Sequence, residues 1–238
     1  MKMIKIGHRG ASGIAPENTR SAFLKAIELG MDMVELDVQL SKDEELIVFH
    51  DKDLKRMAGV KRTVNSMDLL DLKALDIGSS FGDEFKGERI MTLKEVIELA
   101  KEKLSLNIEI KEMGRKRKLV VKKVIDLLEE EDFKSEVIIS SFNKKLLNMA
   151  RSMDKDISLA LIFSSSRVKA LKISQELKLQ AVHPHHSILT EGKVKGYKGL
   201  GLMVNTWTVN DKEKADELCG WGVDGIMTDF PKIFKNEE

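Results

Sequence analysis

Residues 33–38 read Met33-Val34-Glu35-Leu36-Asp37-Val38. In an extended strand successive side chains point to opposite faces. Val34, Leu36 and Val38 therefore share one face, and Glu35 and Asp37 share the other. The pattern recurs in Asn107-Ile108-Glu109-Ile110-Lys111, where Glu109 and Lys111 fall together. Outward from these two stretches, short β-branched runs alternate with amphipathic segments of helical period. The spacing predicts strands over 3–7, 33–38, 46–50, 106–110, 137–141, 158–163, 179–183, 202–206 and 223–228. Helices are predicted over 19–29, 93–103, 116–131, 144–153, 167–177, 190–198 and 211–219. In the first helix Asn18 serves as the cap, Ala22, Phe23, Ala26 and Ile27 form one apolar face, and Gly30 ends it.

Alternation of this kind implies a mostly parallel sheet. The chain has 238 residues and no Gly/Pro-rich linker, and a closed eight-unit barrel takes about 250 residues. The expected fold is thus an α/β TIM (β/α)8 barrel forming one domain over 1–238. Nine candidate strands are one too many for eight places, and the sequence does not say which is accessory. Residues 38–45 are too few for a crossover helix between parallel strands. If both flanking strands belong to the barrel, that segment returns as extended chain along the outside. Residues 52–91 break the alternation and read as a small insertion after the third strand, with one helical pattern near 67–75. Forty residues are long for a plain loop, which implies a functional cover or a small subdomain.

In a barrel the apolar face of residues 33–38 meets the helix layer. Glu35, Asp37, Glu109 and Lys111 then point inward near the C-terminal rim, where barrel enzymes keep their sites. Converging carboxylates raise each other's pKa, and a hard divalent cation relieves this: Mg²⁺, Ca²⁺ or Mn²⁺ rather than Zn²⁺. Taken one pair at a time, Glu35–Lys111 and Asp37–Arg9 also read as buried salt bridges. Their position on successive strands at one rim favours the metal site. His8, in Gly7-His8-Arg9-Gly10, and His50, in His50-Asp51, also end strands. They are natural acid–base partners, because imidazole titrates near neutrality. Asp51 reads as an orienter of His50, a metal contact or a turn cap. Trp207 reads as a wall of the pocket or as packing against the helices. His183-Pro184-His185-His186 has no local carboxylate and reads as a rim loop, with His183 able to face the site.

These motifs resemble the glycerophosphodiester phosphodiesterases, of the phospholipase-C-like barrel phosphodiesterases. The resemblance rests on His8-Arg9-Gly10, Pro16-Glu17-Asn18-Thr19, Glu35-Leu36-Asp37-Val38, Val48-Phe49-His50-Asp51 and Ile108-Glu109-Ile110-Lys111. It continues through Ser141-Phe142, 206–210 and 222–231, spanning nearly the whole chain in order, with the family's insertion at about 52–91. It implies hydrolysis of glycerophosphodiesters to sn-glycerol 3-phosphate and an alcohol. It also implies Glu35, Asp37 and Glu109 as ligands of one divalent cation and His8 and His50 as general acid and base. Arg9 and Lys111 would bind the phosphate. Alternatives are a lysophospholipase D-type activity, with the insertion's Met57, Val60, Leu69, Leu70, Leu72 and Leu75 contacting an acyl chain, or a non-catalytic phosphate-binding barrel.

Composition sets the partners. Forty Lys and Arg face 39 Asp and Glu, for a net charge of +1. That removes the global basic field expected of a nucleic-acid binder. A single Cys excludes an internal disulfide or a Cys-rich zinc site. No signal-peptide pattern or 18-residue apolar run is present. The expected partner is therefore a small-molecule glycerophosphodiester, with no nucleic acid and no stable membrane insertion, in the cytoplasm. Arg115-Lys116-Arg117-Lys118 opens a helix at the barrel mouth. It reads either as a solvated face or as a means of drawing anionic substrate inward.

Overall fold

The computed structural model describes residues 2–234. In chain order the elements are β1 (Ile4–His8), α1 (Arg20–Glu28), β2 (Met33–Leu40), β3 (Leu46–Val48), α2 (Lys55–Ala58), α3 (Leu69–Ala74), β4 (Met91–Thr92), α4 (Leu93–Ala100) and β5 (Ser105–Ile110). They continue with α5 (Arg117–Glu130), β6 (Val137–Ser141), α6 (Lys144–Met153), β7 (Leu159–Phe163), α7 (Ala170–Leu177), β8 (Ala181–Pro184), α8 (Glu191–Lys198), β9 (Met203–Thr206), α9 (Lys212–Gly220) and β10 (Gly225–Thr228). Strands β1, β2 and β5 to β10 pair in parallel, and β1 bonds both β10 and β2, so the sheet closes into a barrel. The expected TIM-barrel class is the observed one.

The accessory strand is β3. It runs antiparallel to β2, with Val38 opposite Val48 and Leu40 opposite Leu46. The chain between them therefore turns back as a hairpin and does not run along the outside. The cause lies in the register of β2. Strand β1 pairs only as far as His8 opposite Glu35, whereas β5 pairs along β2 to Val38. The free edge of the second half of β2 is taken up by β3, and β4 extends that ribbon.

Three apolar layers follow. The largest lies between strands and helices and includes Val34, Leu36, Val38, Leu106, Ile108 and Ile110. A small one fills the barrel interior with Ile6, Met33, Ile138, Ala160, Ala181 and Met227. The third belongs to the insertion, where Leu54, Met57, Val64, Met67, Leu72 and Ile90 bury against Ile47 and Phe49, with Val60, Leu69 and Leu75 packed on them. Of the apolar residues weighed as acyl-chain contacts, only Leu70 stands out in solvent, at 83% exposure. No helix among the described residues is long and apolar enough to cross a membrane.

Candidate active site

The parallel register brings the predicted residues level with one another. Glu35 lies opposite His8 on one side and Asn107 on the other, and Asp37 lies opposite Glu109. Because β2 alternates, both its carboxylates turn inward at the C-terminal end. One oxygen from each of Glu35, Asp37 and Glu109 lies within 4.8 Å of the others, and all three are placed to hold a metal ion. It is the one such group of His, Cys, Asp or Glu among the described residues. His183, His185 and His186 form none.

The electrostatics of this trio favour a cation. Burial and the nearby Asp37 charge push Glu35 well above the usual carboxylate range. Glu109 is raised for the same two reasons, with Lys111 partly offsetting them. Burial opposes the charge on Asp37 too, but Lys111 and then Arg9 outweigh it and hold the group low. Lys111 Nζ donates to Asp37 Oδ1 at 3.1 Å and to Glu109 Oε1 at 2.9 Å. Glu35 does not pair with Lys111, as the salt-bridge reading has it; its Oε2 accepts the Arg9 backbone N–H at 3.1 Å. The three carboxylates converge as an all-oxygen cluster in which burial and mutual repulsion disfavour full ionisation in the absence of a cation. Such a donor set fits a hard divalent ion.

Arg9 leaves β1 at a positive φ of 54° and Gly10 follows at 83°. A Cβ on Gly10 would lie 2.7 Å from the Ala22 backbone, so α1 can approach this turn only over a glycine. Arg9 Nε sits 3.3 Å from Asp37 Oδ2, and its Nη1 donates to Glu17 at 3.0 Å. Asn18 is not the cap of α1. That role falls to Thr19, whose side chain accepts from Ala22 N. Asn18, at φ 58°, instead donates to Asp37 Oδ2 at 2.9 Å. The left-handed backbone carries its amide into the barrel, away from the helix N-terminus.

Each histidine is anchored through Nδ1. His8 Nδ1 bonds Asp229 Oδ1 at 2.6 Å, and its Nε2 is 3.9 Å from Glu35. Burial opposes charge on His8, but Asp229 and then Glu35 raise its pKa above the ordinary value. His50 Nδ1 bonds Asp51 Oδ1 at 2.8 Å, and burial is the main cause of its lowered pKa. Asp51 is thus an orienter of the ring. A chain of charges continues from it. Arg56, on α2 of the insertion, donates from Nε to Asp51 Oδ2 at 2.7 Å and grips both oxygens of Glu17 at 2.9 and 2.6 Å. Glu17 in turn holds Arg9.

A cavity of about 100 Å³ opens among these groups. His8, Arg9, Glu35, His50, Glu109 and Lys111 line it, together with Trp207, Phe142, Ile162 and Met227. Asn107 and His183 complete the wall. Trp207 thus faces the cavity; its Nε1 donates to His183 O at 2.8 Å. No role is read from the sequence for Glu17, Arg56, Asn107 or Asp229, although Glu17, Asn107 and Asp229 lie within the motifs quoted from it. For Asp229 a signal existed, since an Asp directly after a barrel strand sits at the functional rim.

A closed parallel barrel with buried carboxylates, two anchored histidines and two bases at one end is the layout of a hydrolase for an anionic substrate. A model of the glycerophosphoryl diester phosphodiesterase family matches residues 8–233. A glycerophosphodiester phosphodiesterase of Caldanaerobacter subterraneus subsp. tengcongensis is 38% identical over 99% of this chain and 98% of its own. A phosphodiesterase of Oleispira antarctica, solved with the product sn-glycerol-3-phosphate, superposes with a TM-score of 0.91 at 31% identity, over 96% of this chain and 94% of that one. Further off, a lysophospholipase D of Mus musculus is 28% identical over 97% of this chain and 84% of its own. The chain belongs to the glycerophosphoryl diester phosphodiesterase family, and it is a phosphoric diester hydrolase.

Proposed function

We propose that the chain hydrolyses glycerophosphodiesters to sn-glycerol 3-phosphate and an alcohol, with one divalent cation and with His8 and His50 as the general acid–base pair. The observation that carries this is the meeting of Glu35, Asp37 and Glu109 in one buried group, with both histidines lining the same cavity. The product-bound relative supports the choice of substrate. The insertion's apolar residues close on themselves, which weakens the case for an acyl-chain site. Retention of the carboxylates and both histidines argues against a non-catalytic barrel.

Glu35, Asp37 and Glu109 would hold the cation: Mg²⁺, Ca²⁺ or Mn²⁺. When bound, it would offset the buried negative charge and polarise the phosphodiester. The protein's own groups do the rest. Two of the three Lys111 N–H donors are engaged by Asp37 and Glu109, which leaves one for a phosphate oxygen. Arg9 Nη2 has no partner among the described residues and supplies a second donor. These cations bind the substrate and offset charge that grows on the phosphorus oxygens. Asp229 and Asp51 occupy the Nδ1 atoms and leave each Nε2 to work in the cavity. One ring takes the proton of the attacking hydroxyl, and the other protonates the departing alkoxide.

The test is release of glycerol 3-phosphate from several headgroup diesters and from lysophosphatidylcholine, with and without EDTA, for wild type and His50→Ala. Activity surviving both EDTA and the substitution would refute the mechanism. A preference for the lysolipid would move the assignment to lysophospholipase D.

A further inference from the structure

The loop after β7, residues 164–169, lies at the catalytic end of the barrel, yet none of its residues enters the chemistry above. Beside it opens a second cavity, of about 660 Å³, which shares Phe142 and Ile162 with the catalytic one. The sheet order β5, β6, β7 places it two strands round the barrel from Lys111. The catalytic cavity holds only about 100 Å³, well below the roughly 300–1,000 Å³ of pockets that enclose a whole small ligand. A diester anchored at Arg9 and Lys111 therefore projects out of it, and the neighbouring cavity is open to the projecting part.

The second cavity is one-sided in charge. Lys144, Arg167, Lys169 and Lys172 line it against a single carboxylate, Glu176. Glu176 accepts from Lys144 and lies 3.8 Å from Lys172. Arg167 and Lys169 have no ion-pair partner among the described residues. In a chain of net charge +1 this is a local excess, and cations gathered in a cleft focus their field on whatever enters it. The rest of the wall is largely apolar, with Leu161, Phe163 and Ile173. Phe142, between the two cavities, is half exposed.

These features select the occupant. A quaternary ammonium would meet like charge at Arg167 and Lys169. An acyl chain gains nothing from four cations. A polyol that carries a phosphate uses both parts of the wall. Its C–H groups pack on Phe142, and its phosphate accepts from the Arg167 fork and the Lys169 ammonium. Ser165 Oγ accepts the Arg167 backbone N–H at 3.3 Å, which leaves the hydroxyl proton to donate to the same phosphate.

We propose that this cavity is the leaving-group site, and that Arg167 and Lys169 select glycerophosphodiesters whose alcohol carries a phosphate of its own. This rests on the glycerophosphodiesterase activity proposed above and names a substrate class within it.

The test compares glycerophosphoinositol 4-phosphate with glycerophosphoinositol, a pair that differs only in the second phosphate, and with glycerophosphocholine and lysophosphatidylcholine. Wild type, Arg167→Gln/Lys169→Gln and, as a control for general attraction, Arg115→Ala/Lys118→Ala are assayed with the cation present at low ionic strength. Wild type should show a kcat/KM about tenfold higher for the 4-phosphate than for its parent. Arg167→Gln/Lys169→Gln should bring that ratio to within about twofold of unity and leave glycerophosphocholine cleavage within about twofold of wild type. The control pair should keep most of the ratio. Both double variants should melt with wild type, because the replaced side chains are exposed. A wild type that cleaves glycerophosphodiesters without preferring the 4-phosphate overturns the leaving-group site alone. So does a ratio that survives Arg167→Gln/Lys169→Gln, or one that the control pair lowers equally. Loss of lysophosphatidylcholine cleavage alone would make the cavity an acyl site and also overturn it. If wild type cleaves none of the glycerophosphodiesters, the functional assignment fails first and takes the leaving-group site with it.

Discussion

His8 Nδ1 and Asp229 Oδ1 lie 2.6 Å apart, joining residues 221 positions distant in the chain. Asp229 is itself held by Ser12 Oγ at 2.8 Å and Asn210 Nδ2 at 2.6 Å. Burial opposes its charge, yet the His8 hydrogen bond and the other donors bring its pKa down to about 2. The contact exists because β1 and β10 are neighbours at the closure of the barrel. A fixed carboxylate on Nδ1 sets both the tautomer and the ring angle, which is what the proposed acid–base role of His8 requires. Asp229→Asn should therefore lower kcat by about 10²–10⁴-fold with KM changed little. Initial rates of glycerol 3-phosphate release measure this, and a wild-type kcat would contradict it.

Arg56 ties the insertion to the site. It grips Glu17 and Asp51, which hold Arg9 and His50. Arg56→Gln removes the charged fork and loosens both. Its kcat/KM should fall about 10–100-fold, the scale seen when supporting residues around a site are removed. Arg56→Lys should recover only part of this, since an ammonium lacks the two-pronged geometry. Full rescue by Lys would mean that charge alone suffices.

Cation binding should be visible without turnover. A divalent ion that binds only the folded protein raises Tm in proportion to the logarithm of its excess over Kd. Titration of chelator-treated protein with Mg²⁺, Ca²⁺ or Mn²⁺ should raise Tm. Glu35→Gln, Asp37→Asn and Glu109→Gln should each weaken the response at least about tenfold. Equal responses in all four proteins would place the ion elsewhere.

His183 makes stability depend on pH. Burial drops its pKa to about 3, from an ordinary value of 6.5. The unfolded chain takes up this proton below pH 6.5 while the folded chain does not. The contribution is therefore fully present above pH 6.5 and is lost as pH falls towards 3, with a limiting slope of about 1.4 kcal/mol per pH unit. Urea unfolding at pH 5 and 7 should show a smaller loss for His183→Leu than for wild type.

Of the basic run at the start of α5, Lys116 pairs with Glu44 and Arg117 with Glu112. Arg115 and Lys118 have no ion-pair partner among the described residues. If they draw anionic substrate to the mouth, Arg115→Ala/Lys118→Ala should lower kcat/KM about two- to fivefold at low ionic strength. The difference should vanish near 0.5 M salt, where screening shortens to a few ångströms. Equal values at low salt would leave these bases as a solvated face.

Much of this protein is written locally. The two-residue period of Val34-Glu35-Leu36-Asp37-Val38 fixes which side chains turn inward, because strand geometry decides it before any partner is present. The 3.6-residue period of the helical stretches fixes their buried faces. Together with the chain's length these point to the barrel, to Glu35, Asp37, Glu109 and Lys111 at its rim, and to His8 at the end of β1; His50 instead follows the accessory strand β3, two residues past its end. Three things depended on the folded chain. Which strand is accessory follows from where β1 stops pairing along β2, a register that local periodicity does not encode. The role of Asn18 turned on a positive φ, which reversed the direction of an amide that sequence alone makes a helix cap. His183, which the sequence left able to face the site, does line the cavity, whereas the contacts of Asp229 with His8 and of Arg56 with Asp51 and Glu17 arise because barrel closure and the packing of the insertion bring distant segments within hydrogen-bond reach, and sequence spacing carries no record of such contacts.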